Sequence, residues 1–410
     1  MSPQQIATPL VNQTAQAAQG RQALVIQDTS EINYEHHAGY LDRGDADLGP
    51  TGNDKDIGFF LHPNIVLDRE TGLLLGASDV YLWNRRYDKQ DKQEREYHKQ
   101  EIEEKESYRW IACAQRSKEA LRHAASILFV SDRESDIYEE FALLPDARCD
   151  VLVRSKENRR LHEKEEKLYE YLASQPESGR ISLQIRQASK RQSRNATLTV
   201  RSAHVQIARP KKHSAQSALP EYIELNAVLV EETSGSVPSG EKPIRWVLLT
   251  TCKVENLEDA LEVIKCYGLR WQIELIFASM KSAGVDIEAS QLETGSALKS
   301  MAVMSFITAL RINQLRLSRT DKSGIPATVV FTEEQLPLLE VLTKKLEGST
   351  AKQKNPHRKS TIAWAAWVIA RLGGWKGYAS ESPPGNKTMY AGWIDFNRLF
   401  EGWSLAQISP

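Results

Sequence analysis

Residues 127–136 read ILFVSDRESD, and this stretch decides the architecture. Ile127 to Val130 is a short, continuous apolar run, the pattern of a strand buried on both faces. It ends in Ser131 and Asp132, so Asp132 is expected where a central strand delivers its last side chain. A helix carrying Ile137, Phe141 and Leu144 follows, with Asp136 expected to start that helix rather than to bind a ligand. The next strand is Cys149–Arg154, CDVLVR.

Upstream, Ser107–Ser126 reads as a helix with Trp110, Ile111, Ala114 and Leu121 on its apolar side. The charge-dense 87–105 segment before it reads as an exposed, partly ordered connection. Further back, Ala23–Ile26 is an apolar strand ending in Asp28 and Thr29. The runs GFFLHPNIVLD (58–68) and LLLGASDVYLW (73–83), joined by a turn at Asp68–Gly72, complete a three-stranded meander. Three strands, helix, strand, helix, strand is the order of a ribonuclease-H-like α/β core. Such a core brings acidic groups from its first and fourth strands side by side, and a later helix can add a third.

After Arg154 comes an insertion of alternating runs at 181–186, 196–208, 222–232 and 244–251. These read as antiparallel strands bounded by Pro- and Ser-rich turns near 210–220 and 234–243. Helical patterns follow at 297–318, 333–346 and 361–372, ahead of a tail with Trp393 and Trp403. The expected organisation is a flexible lead-in at 1–20, core at 21–157, β-sheet insertion at 158–250, core again at 251–320 and a helical C-terminal region at 321–410.

Composition is that of an ordinary globular protein, with 41% hydrophobic and 26% charged residues. No apolar stretch approaches membrane-spanning length and no signal region opens the chain, so no membrane partner is expected. The four cysteines lack the spacing of a zinc site or disulfide framework and point to a reducing, cytoplasmic compartment. A net charge of −1 conceals an asymmetry: 28–79 is strongly acidic and 154–212 strongly basic. The first is suited to collecting cations and the second to lying along phosphates, unless both are merely solvated faces. The acidic 42–56 stretch lacks the spacing of a calcium-binding EF-hand loop.

The densest chemistry lies at 256–282, NLEDALEVIKCYGLRWQIELIFASMKS, expected as one helix capped by Asn256 and stopped at Gly284. On it Tyr267, Arg270, Glu274 and Lys281 share a stripe about 60° wide. A carboxylate flanked by two cations and a phenol can hold a divalent ion and grip phosphates beside it. The alternative is a solvated face with an Arg270–Glu274 ion pair at i,i+4.

The spacing Tyr-x2-Arg-x3-Glu-x6-Lys resembles the YREK signature of the DDE transposases of bacterial insertion sequences, in the insertion-sequence-four family. The 27–30 stretch QDTS, the VSDRESDIY stretch and the YREK helix stand in that family's order around a β-rich insertion. The resemblance implies catalytic, metal-binding acids at Asp28, Asp132 and Glu274, holding two Mg2+ ions for which Mn2+ substitutes. It implies DNA contacts from Tyr267, Arg270, Lys281 and Arg154, and a flipped base stacked on Trp246 with Trp271 assisting; packing alone favours a core role for Trp246. The implied activity is cut-and-paste transposition. The implied partners are double-stranded DNA, at transposon ends and target, and a second copy of the chain in a synaptic complex, in a bacterial cytoplasm at the nucleoid. One departure stands out. The family's N-terminal end-recognition domain is mostly lacking before Asp28, which leaves a truncated, dimerising regulator as the rival expectation and a plain nuclease as a second.

Overall fold

The computed structural model describes the chain except residues 53–55, 88–99, 186–191, 211–218, 283–284, 379–380 and 409–410. Most of the charge-dense 87–105 connection, the tip of the 210–220 turn and the expected helix stop at Gly284 lie outside the described residues.

The chain opens with a helix, not the flexible lead-in expected. Helix α1 (Pro3–Ala17) starts with Pro at its N-terminus and a capping box in which Ser2 and Gln5 satisfy each other's backbone. It buries Ala7, Leu10 and Thr14, and Thr14 Oγ1 accepts the Ala77 N–H at 3.0 Å. Polar composition hid it, because only a narrow apolar stripe is needed to dock.

Strands β1 (Gln22–Gln27), β2 (Ser30–Asn33), β3 (Gly49–Pro50), β4 (Ile57–Asp68) and β5 (Leu74–Trp83) form the meander with two short additions. Helix α2 (Tyr108–Ala120), strand β6 (Ser126–Ser131), helix α3 (Tyr138–Leu143) and strand β7 (Cys149–Arg154) follow in the expected order. Pairing β5-β4-β1-β6-β7 is antiparallel across the meander and parallel from β1 to β7. This is the ribonuclease-H-like core.

Helix α4 (Leu168–Ser174) and strands β8 (Gly179–Ile185), β9 (Arg194–Ala208), β10 (Tyr222–Glu232) and β11 (Arg245–Thr250) make the insertion. It does not stand apart. Strand β11 pairs antiparallel with β7, Leu248 opposite Arg154 and Thr250 opposite Leu152. Core and insertion therefore share one sheet, ordered β2-β4-β1-β6-β7-β11-β10-β9-β8 along its main path.

Two apolar layers cover this sheet. Val25, Phe129 and Val151 face one layer, beneath Ile111 and Ala114 of α2. Ile26, Val130 and Leu152 face the other, against the helices that follow the insertion. The expected 256–282 helix is divided into α5 (Leu257–Leu269) and α6 (Trp271–Met280). Around Arg270 the backbone tightens to i→i−3 bonds, Arg270 N–H to Tyr267 O and Ile273 N–H to Arg270 O. Asn256 caps α5 as expected, accepting from the Asp259 N–H at 3.0 Å.

Helices α7 (Gly295–Ser318), α8 (Leu336–Leu346), α9 (Ile362–Leu372) and α10 (Asn386–Ile408) complete the chain; the expected tail is helical. Ser279 of α6 ties this region to the core, accepting from Asn313 of α7 at 3.1 Å and Asn386 of α10 at 3.0 Å. Among the described residues no helix is long and apolar enough to cross a membrane.

Candidate active site

Strand register brings the two aspartates together. Ile26 pairs with Val130 across parallel strands β1 and β6, and Asp28 and Asp132 each lie two residues further on. With a two-residue side-chain period both continue the face of Ile26 and Val130, the face that α5 and α6 cover. The backbone N–H of the following residues holds each carboxylate: Thr29 donates to Asp28 Oδ1 and Glu134 to Asp132 Oδ1, both at 2.8 Å.

From α6 the third acid enters the same field. Arg270 Nη1 donates to Asp28 Oδ2 at 2.8 Å and lies 3.6 Å from Glu274 Oε1. Burial pushes the Asp28 carboxyl up to about 7; the negative charge of Asp132 adds to this and Glu274 adds less, while Arg270 and the Thr29 N–H oppose it. Asp28 thus sits in a cluster with too little positive charge to ionise it at the usual carboxylate pH. The Arg270–Glu274 pair of the bland alternative exists, but the closer partner is Asp28, 242 residues away in sequence.

Tyr267 is 6% exposed, and its phenol is raised first by burial against the lowering charges of Arg270 and Arg154. Arg154 Nη2 also donates to the Arg245 carbonyl at 3.0 Å. Trp246 meets the Tyr267 ring edge-on at 5.6 Å between centroids and is half-buried, so it is packed without being enclosed. Lys281 lies further along: its Nζ donates to the Glu31 carbonyl at 2.5 Å and pairs with Glu288 at 2.9 Å. Trp271 is 62% exposed and joins none of these contacts.

Three carboxylates are the donor set a hard divalent cation takes, and the excess negative charge around Asp28 suits one. Among the described residues no three such groups stand close enough to hold one ion together. The Arg270 guanidinium, seated on Asp28 and near Glu274, is the cation already there. The donor chemistry fits a metal, with Arg270 occupying one oxygen of Asp28.

Two arginines of the basic 154–212 tract are engaged inside the fold. Arg159 pairs with buried Asp136 at 2.6 Å, and Arg194 pairs with Glu232 and Glu241. Asp136 also accepts the Lys156 and Glu157 N–H groups, so it is neither ligand nor simple helix start but a structural anchor. Sequence reasoning missed Thr29 and Glu134, whose signal was their position just beyond each acid. It missed Arg109 as well, which no local pattern distinguishes.

Residues 111–311 match the family model described as the transposase DDE domain. The match covers just under half of the chain. It spans α2 to α7 and contains Asp132 and Glu274; Asp28 lies upstream. Among solved structures, the cryo-electron microscopy structure of piggyBac transposase in a synaptic complex with hairpin DNA is similar at 9% identity and a TM-score of 0.38. That comparison covers 97% of this chain, which spans only 57% of the length of the other.

Proposed function

We propose that the chain is a metal-dependent transposase that cuts DNA at transposon ends and joins it to a target, as a dimer acting on nucleoid DNA. The observation that carries this reading is the strand register that ends β1 and β6 in Asp28 and Asp132, with Arg270 seated on Asp28 and 3.6 Å from Glu274. Asp28, Asp132 and Glu274 are the residues to hold the metal. Two Mg2+ ions held there, or Mn2+ in their place, would supply an activated attacking oxygen and a stabilised leaving oxygen for in-line displacement at phosphorus.

The chain's own residues do the rest. Asp28 would meet the cation in its ionised form, and Arg270, beside it, would present its planar fork to a phosphate, which it matches bidentately. Arg154 and Lys281 hold the backbone on either side, with Arg154 anchored on the Arg245 carbonyl. Trp246, half-open beside Tyr267, offers an aromatic face to a base extruded from the transposon end.

The test is cleavage of labelled duplexes carrying matched or scrambled transposon ends, with Mg2+, Mn2+ or EDTA, by wild type and by D28N, D132N and E274Q. Cleavage should require the metal and fall to background in each variant, while DNA affinity stays within about threefold because phosphate contacts remain. Cleavage in EDTA, or by any of the three variants, would sink the reading.

A further inference from the structure

Arg109, in the first turn of α2, touches neither acid, yet it is bound to the residue that orients each of them. Its Nε donates to Thr29 Oγ1 at 3.2 Å and its Nη2 to Glu134 Oε2 at 3.1 Å. Thr29 and Glu134 are the residues whose backbone N–H groups hold Asp28 and Asp132, each at 2.8 Å. One guanidinium therefore spans the ends of β1 and β6, gripping both backbone donors by their side chains. We propose that Arg109 is a positioning residue that fixes the separation and orientation of Asp28 and Asp132 for metal binding, an inference resting on the metal-dependent reading above.

The surroundings make the span rigid. Arg109 Nη1 donates to the Glu106 carbonyl at 2.8 Å, and the guanidinium lies over the Trp83 and Trp110 rings at 5.5 and 5.3 Å. Its side chain is 12% exposed, so water competes little for these donors. A guanidinium only donates, so Thr29 Oγ1 accepts from it, and the same hydroxyl shares a hydrogen bond with His62 Nδ1, 2.8 Å away. Burial, reinforced by the charges of Arg109 and Arg116, holds His62 well below its ordinary range and keeps the ring neutral. The network thus runs from Arg109 through Thr29 to His62 on β4.

Lysine could not replace it. An ammonium is a point charge without a planar fork and would reach Thr29 or Glu134, not both in this geometry. Partners one step behind a ligand typically change metal affinity tenfold to a hundredfold when removed.

The experiment titrates Mn2+ alone into the full chain, followed by electron paramagnetic resonance, alongside the thermal melt and affinity for a scrambled duplex. R109Q should bind Mn2+ about 10–100-fold more weakly, with DNA affinity unchanged within about twofold. R109K should fall between. E134A removes a 65% exposed carboxylate and should fold normally while losing at least about threefold in Mn2+ affinity, which keeps the test open should R109Q unfold. In cleavage, kcat should drop with KM for DNA unchanged. Wild-type Mn2+ affinity in R109Q and E134A, with D28N and D132N weakened, would overturn the strut and leave the metal site standing. Mn2+ affinity unmoved even by D28N and D132N would overturn the metal-site reading and the strut with it.

Discussion

Asp28→Asn should make the metal-free protein more stable while abolishing cleavage. The Asp28 carboxyl moves from an ordinary 3.8 when unfolded to about 7 when folded, with burial the largest cause. The sign follows from proton counting. Below pH 3.8 both states are protonated; between about 4 and 7 the folded state keeps the proton that the unfolded state has lost, so stability falls as pH rises. Above about 7 both are ionised and the full penalty applies, roughly 4 kcal/mol for a shift of about three units. Asparagine carries no charge and keeps an oxygen for Arg270, so most of that penalty should vanish. Scaling unfolding entropy to 410 residues gives about 1–2 °C per kcal/mol, hence a gain of about 4–8 °C at pH 8 and little at pH 4. Thermal melts of wild type and D28N in EDTA from pH 4 to 9 measure this. A difference that does not grow between pH 4 and 8, or a D28N protein melting below wild type at pH 8, would refute the reasoning. Added Mg2+ should narrow the gap by stabilising wild type alone.

Arg159→Ala strands Asp136, whose side chain is fully buried, and should cost about 3–5 kcal/mol in urea unfolding; a loss under 1 kcal/mol would contradict the anchoring role. Gly76→Ala places a methyl 2.0 Å from Thr14 Oγ1 at a φ of +156°, so α1 should loosen, with stability down about 2–3 kcal/mol and early proteolysis before β1. Arg154→Ala and Lys281→Ala should each lower the slope of log affinity for DNA against log salt by about 1 under the proposed phosphate roles. Trp271→Ala, at an exposed position, should leave the melting point within about 1 °C; a larger fall would show that its ring packs.

How much of this was legible in the sequence depends on distance along the chain. Ile127–Val130 and Ala23–Ile26 announced themselves as buried strands, and an acid closing each run was readable without any neighbour. The β11–β7 pairing was not, because hydrogen bonds between Leu248 and Arg154 leave no trace in either local pattern. Nor did anything in the alternation of the insertion say whether its strands make a second sheet or extend the first. Helical spacing put Arg270 beside Glu274, and the pair is there, but the partner that matters electrostatically, Asp28, comes from β1. The tightened turn at Arg270 escaped notice because no proline marks it. Arg159 looked like part of a phosphate track when counted by charge; its buried partner Asp136 could be assigned only in three dimensions.

The division of the helix at Arg270 gives the acids different foundations. Asp28 and Asp132 are bolted to the sheet, whereas Glu274 rides on α6, which Ser279 moors to α7 and α10 through Asn313 and Asn386. The last helix thus meets α6 at the Ser279 hydroxyl, which also receives the Asn313 amide of α7. Should the three acids act together as proposed, two would stand on the sheet and the third on a helix whose footing is shared with the chain's last helix.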